Sequence, residues 1–282
     1  MHFSQGKVSQ GKARYSVSTW SLHRELGDPG LYGPDLGDKV PEFGYERGQL
    51  SLLELPEKIA QFGIHTLEIV HFHLPSRDLA YLDELRAAIE NANVELFSLL
   101  IDSGDITDPN EGERHKDWIA GWLEVAHHLG SRHARVVAGK QEPRKETIAL
   151  SIERLSELAD RAEALGLRLM TENWLTLANS PEVVTQLMEG LEGRVGLCFD
   201  FGNWRGEEKY RQLEQIAQYA ESCHTKGFFY NGILDKDDYV KCLEITKQAG
   251  FSGPYTLIFD SEKPGEWEGL KTEMAVVEHY LG

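Results

Sequence analysis

Four short apolar runs in this chain each end in a side chain that can move a proton or hold a cation. Leu167-Arg-Leu-Met-Thr-Glu172 and Val195-Gly-Leu-Cys-Phe-Asp200 end in carboxylates, Ser222-Cys-His224 in an imidazole, and Tyr255-Thr-Leu-Ile-Phe-Asp260 in a third carboxylate. Positioned carboxylates and imidazoles are the usual general acids and bases. Lys226, two residues after His224, shares its strand face and can meet a phosphate, a carboxylate or a developing oxyanion. Apolar runs of this kind read as strands buried on both faces, as in parallel sheets covered by helices. Polar groups that end successive parallel strands converge on one face, where α/β proteins keep their chemistry.

The elements that must position these groups alternate along the chain. Strand-like segments are Tyr15–Leu22, His65–Leu74, Val94–Asp102, His133–Ala138, the two runs ending in Glu172 and Asp200, Ser222–Phe229 and Tyr255–Asp260. Amphipathic helical stretches lie between them, several closed by a glycine such as Gly63, Gly130, Gly166 or Gly250. Ser180-Pro181-Glu182 opens one with an N-cap and a proline at the first helical position. Eight such units without a break in composition predict a single-domain (β/α)8 TIM barrel over residues 15–282, after a polar tail or remnant at residues 1–14. An open doubly wound sheet would want a Gly-rich phosphate loop after the first strand, and Thr19-Trp20-Ser21-Leu22 is not one. The Gly/Pro-rich excursion from Gly27 to Gly48 is long for a βα loop and reads as part of a lid or pocket wall.

Bulk properties narrow the class. The chain has 282 residues, 41% of them hydrophobic, and a formal net charge of −17. That acidity, with no basic cluster, argues against a nucleic-acid partner. No stretch approaches the roughly 20 apolar residues of a membrane span, and the first residues lack the apolar segment of a signal peptide. Three unpatterned cysteines, Cys198, Cys223 and Cys242, fit buried thiols in a reducing cytoplasm. Whether the chain forms a homodimer is left open.

Taken together, Ala60-Gln-Phe-Gly-Ile-His-Thr-Leu-Glu68, Ala126-His-His-Leu-Gly130, Glu172-Asn-Trp174, Asp200-Phe-Gly-Asn203, His224-Thr-Lys226 and Ala249-Gly-Phe-Ser-Gly-Pro254 resemble the sugar phosphate isomerase/epimerase family of xylose-isomerase-like TIM barrels. The resemblance runs from about Tyr15 to Leu281. It implies a divalent metal at the C-terminal mouth, held by a Glu, an Asp and a His ending strands five to seven and a Glu in strand eight. The first three carry over to Glu172, Asp200 and His224. The fourth position reads Ile258 here, which leaves Asp260, one step along the same strand face, as the remaining acid and a possible fourth ligand.

Carboxylates with one imidazole make hard to borderline ligation that suits Mn, Mg, Co or Zn. Such an ion polarises neighbouring hydroxyl and carbonyl oxygens of a small carbohydrate, so that a base can take the adjacent proton. Glu172 fills the base role, with Asp260 and Lys226 as further catalytic candidates. Trp20, Glu68, His71, His73, Arg135, Asn173 and Asn203 are the candidate substrate-binding residues; His71 and His73 are placed on one face at the mouth end of strand two. The leading function is therefore isomerase or epimerase on a sugar or sugar phosphate. A lyase or dehydratase and a metal-free sugar-binding barrel stand beside it. On the structural side, Glu172 and Asp200 can form an internal ion-pair network with Arg135 or Lys226, and His224 can be a satisfied core imidazole.

Overall fold

A computed structural model describes residues 12–27, 30–37, 39–41 and 48–281. The eight barrel strands are β1 (Arg14–Ser18), β2 (Thr66–Val70), β3 (Glu95–Ile101), β4 (His133–Val136), β5 (Arg168–Glu172), β6 (Gly196–Asp200), β7 (Ala220–Lys226) and β8 (Pro254–Ile258). They close in sequence order, each parallel to its neighbours, with β1 paired to both β2 and β8. The outer helices are α1 (Leu55–Phe62), α2 (Leu79–Asn91), α3 (Gly112–His128), α4 (Lys145–Ala164), α5 (Pro181–Gly190), α6 (Lys209–Ile216), α7 (Lys236–Gln248) and α8 (Glu266–Val277). The chain is thus the (β/α)8 barrel that its patterning predicts.

Local chemistry explains the boundaries. Ser180 accepts the Val183 N–H at the start of α5, with Pro181 at the first helical position. Gly63 takes φ +94° after α1 and donates its N–H to Ala60 O, a conformation open to glycine. Barrel strands carry Leu67, Leu99, Leu169, Leu197 and Leu257 fully buried against the helices. The alternate positions fill the lumen, and there the polar groups lie.

Several boundaries differ from the sequence reading. Arg14 is the first residue of β1, hydrogen-bonded to Glu95 and Thr66, so the barrel begins one residue before the expected boundary; residues 1–11 of the expected tail lie outside the described residues. The first strand ends at Ser18, and Thr19–Leu22 turn into a 3-10 helix. The second ends at Val70, with His71–His73 forming another 3-10 turn. A small antiparallel hairpin, Phe229–Tyr230 with Ile233–Leu234, stands between β7 and α7. No helix among the described residues is long and apolar enough to cross a membrane.

Candidate active site at the C-terminal mouth

A cavity of about 250 Å3 opens at the C-terminal ends of the strands, lined by Trp20, Arg135, Glu172, Asp200, His224 and Lys226 among others. That is below the roughly 300–1,000 Å3 of drug-sized ligand sites, so it suits one small molecule. A larger groove of about 930 Å3 lies at the opposite, N-terminal end. Several of its charges pair with one another: Arg14 and Arg132 with Glu95 at 2.7 and 3.0 Å, and Arg168 with Glu221 at 2.6 Å. The smaller cavity instead gathers carboxylates, an imidazole, a guanidinium and an ammonium around one opening.

His224 organises the site. Its Nε2–H donates to Glu68 Oε2 at 2.7 Å. A carboxylate can only accept, so this bond leaves Nδ1 directed at the mouth. Nδ1 lies 4.0 Å from Glu172 Oε1 and 3.8 Å from Asp200 Oδ2. Burial works against a charged imidazole here. The Cys198 sulfur, the Glu68 carboxylate and Asp200 outweigh it and hold the His224 pKa well above the ordinary range.

Glu172 is set from both sides. Asn203 Nδ2–H donates to its Oε1 at 2.8 Å, and the Arg135 Nε stands 3.1 Å from its Oε2. Arg135 reaches Asp102 at 2.6 Å with another nitrogen, and its guanidinium lies 5.5 Å from the Trp174 ring centre. Burial raises the Glu172 pKa, against the opposing pull of Arg135 and His224. The ion-pair alternative for Glu172 is thus present in the structure, and it leaves the carboxylate facing the cavity.

Asp200 is placed by its own turn. Gly202 N donates to Asp200 Oδ1 at 2.5 Å, while the Asn173 side chain bridges β5 and β6 by donating to Asp200 O and accepting from Asp200 N, both at 2.8 Å. A Cβ on Gly202 would sit 2.4 Å from Lys226 Cβ, so the turn and the lysine need a glycine there.

The structure brings together Glu172, Asp200, His224, Lys226, Arg135, Asn203 and Trp20 along one cavity. Five other candidates fall elsewhere. Glu68 and Asn173 do not line the cavity; they position His224 and Asp200. Asp260 was expected one layer above Ile258, but β8 ends at Ile258 and strand alternation stops there. Asp260 instead pairs with Lys226 at 2.9 Å at the rim, and Ile258 lines the cavity. His71 and His73 share no strand face, because the chain has already turned into its 3-10 segment. His71 sits by Tyr32 O and the Asp102 N–H, and His73 by the Thr19 hydroxyl. Burial pushes their pKa values down to about 4 and about 3, which favours the neutral imidazole in both, and neither lines the cavity.

Two site residues were not singled out in the sequence. Asp102 directly follows the last residue of β3 and pairs with Arg135, a signal close to that of Glu172 at the end of β5. Cys198 lies two residues before Asp200, so alternation places it on the same face. One ligand atom from each of Glu172, Cys198 and His224 lies within 4.8 Å of the others.

These groups fit a divalent cation on the structure's own terms. Two ligand atoms about 2.1 Å from one ion stand about 3.4 Å apart at a tetrahedral angle, so Glu172 Oε1 and Asp200 Oδ2, 4.0 and 3.8 Å from Nδ1, would close in by about half an ångström on a bound ion. Glu68 Oε1 is a buried acceptor without a hydrogen-bond donor. A carboxylate behind the imidazole is also the common outer support of a metal-binding histidine.

Residues 56–277 match the family model described as xylose isomerase-like TIM barrel. No curated protein matches the sequence. Solved structures share the fold at low identity. D-psicose 3-epimerase from Clostridium cellulolyticum H10, solved with D-tagatose, is 16% identical with a TM-score of 0.68, over 95% of this chain and 99% of that one. A xylose isomerase-like TIM barrel protein from Mycobacterium smegmatis, in complex with magnesium, is 16% identical with a TM-score of 0.66, over 98% and 100%. The probable 3-DHS dehydratase AsbF of Bacillus anthracis is 12% identical with a TM-score of 0.67, over 94% and 98%.

Proposed function

The chain belongs to the xylose isomerase-like TIM barrel family, and from that premise we propose that it is an isomerase or epimerase moving a proton on a small sugar, sugar phosphate or related polyol carbonyl. The observation that carries this reading is the convergence of Glu172 and Asp200 on His224 Nδ1 beside Lys226 and Arg135, at the mouth of a cavity sized for one small molecule.

Glu172, Asp200 and His224 would hold a divalent metal (Mn, Mg, Co or Zn), which supplies charge to polarise a bound carbonyl and its neighbouring hydroxyl. Glu172 is the proton-transferring group: its raised pKa makes the carboxylate a stronger base. Asn203 fixes one of its oxygens and Arg135 the other, so the proton-accepting edge keeps one orientation. Asp200 and Asp260 hold the Lys226 pKa up against burial, and the ammonium lines the cavity where oxyanion or phosphate charge can be met. Trp20 and Trp174 supply flat apolar wall against which a sugar ring stacks.

A second reading, β-elimination from a keto sugar or cyclitol, is favoured by Ile258. It lines the cavity with an apolar side chain, so β8 offers no second base for exchange on the opposite face of the substrate. Candidate ketoses incubated in deuterium oxide decide between the two. Isomerase chemistry puts solvent deuterium on carbon in recovered substrate and product, abolished by Glu172→Gln. A dehydrated, ultraviolet-absorbing product instead identifies elimination, and neither outcome across a sugar panel removes the catalytic reading.

A further inference from the structure

We propose that Cys198 is a thiolate ligand of the mouth metal, making this a mixed sulfur, nitrogen and oxygen centre that takes Zn, Co or Fe(II) in preference to Mg. The proposal rests on the metal-assisted reading above and adds to it the class of ion.

Three of the proposed ligand atoms stand near one another. Cys198 Sγ, a Glu172 oxygen and a His224 nitrogen lie within 4.8 Å of one another, and all three residues are buried. The placement follows from register. Cys198 pairs with Glu172 across β5 and β6, and Asp200 pairs with His224 across β6 and β7. Cys198 therefore enters the lumen one layer beneath Asp200, on the same face. The other two cysteines, Cys223 and Cys242, are buried but outside this group.

Beside the mouth, the upper wall offers few further charged oxygen donors. β8 contributes Ile258, an apolar side chain, and Asp260 is engaged by Lys226 at the rim. One Glu172 oxygen is occupied by Asn203. Magnesium demands near-octahedral oxygen ligation at close range. A site with two carboxylates, one imidazole and one sulfur is instead the four-coordinate set of a borderline ion. Charge points the same way. Five carboxylates (Glu68, Asp102, Glu172, Asp200 and Asp260) face two fixed cations, Arg135 and Lys226. That is a deficit of three charges, four once Cys198 ionises, which a divalent cation reduces to two. Binding is balanced by loss of the Cys198 S–H proton to solvent as the sulfur–metal bond forms.

The test is titration of the purified full-length protein with Co(II), followed by ultraviolet–visible absorption and by equilibrium dialysis. The expected result is one bound cobalt with an intense near-ultraviolet thiolate-to-cobalt charge-transfer band. Cys198→Ser should still bind cobalt but lose the band, and its zinc affinity should fall at least about tenfold, the scale on which even outer ligand partners act. A Cys223→Ala control should keep the band. Bound cobalt without the band in the wild type, or a band that survives Cys198→Ser, overturns the thiolate proposal and leaves the metal reading standing. No cobalt in the wild type overturns both.

Discussion

Glu68 and His224 come from β2 and β7, strands that are not neighbours in the barrel, yet their side chains meet across the lumen at 2.7 Å. The contact holds Nε2 against Glu68 and so turns Nδ1 toward Glu172 and Asp200. Glu68→Gln keeps an acceptor for Nε2–H and removes the charge. Zinc affinity should fall about 10–100-fold with the fold retained. Competition titration of variant and wild type against a metal indicator measures this; equal affinities would mean that Glu68 only packs.

Arg135 stands between two buried carboxylates, Asp102 and Glu172. Arg135→Met should destabilise the protein by about 3–5 kcal/mol at neutral pH, because it strands buried charge. The deficit should shrink as pH falls and the carboxyls take up protons. Urea denaturation of both proteins at neutral and mildly acidic pH checks the magnitude and the trend.

His71 and His73 give the fold its own acid sensitivity. Their pKa values are pushed down to about 4 and about 3 by burial, below the ordinary 6.5. The unfolded chain therefore binds more protons in that window, so stability is full above about pH 6.5 and falls as pH drops toward 4. A shift from 6.5 to about 4 corresponds to about 3 kcal/mol for His71. Melting curves between pH 7 and 4 should show this loss, and His71→Gln should flatten it. A slope unchanged in the variant would assign the acid sensitivity to other groups.

Gly202 lets the Asp200 turn pass beside Lys226. An added Cβ would lie 2.4 Å from Lys226 Cβ, at the root of the side chain rather than its flexible end. Gly202→Ala should destabilise by about 1–3 kcal/mol and displace the lysine. Thermal melts read the first effect, and weakened binding of an anionic sugar analogue reads the second.

The barrel and the Glu172, Asp200 and His224 trio were legible because each is a strand-end signal, local in the chain and repeated in order. The misplacements share one cause. Strand alternation was extended past the last strand residue, beyond Val70 for His71 and His73 and beyond Ile258 for Asp260, where the backbone no longer alternates. Glu68 lay in a correctly read strand, but its partner is 156 residues away in sequence, and no local pattern announces a cross-lumen contact. Cys198 was visible on the face of Asp200, but a buried thiol is ordinary core chemistry until its neighbours are known.

The central claim is that Glu172, Asp200 and His224 hold one divalent ion at the mouth. Elemental analysis of protein purified without chelators or a metal-affinity column, run beside His224→Ala, tests it most directly. The account predicts about one equivalent of metal in the wild type and none in the variant. A metal-free wild type, after incubation with Mn, Co and Zn, would contradict it and turn the site over to acid–base chemistry by Glu172 alone.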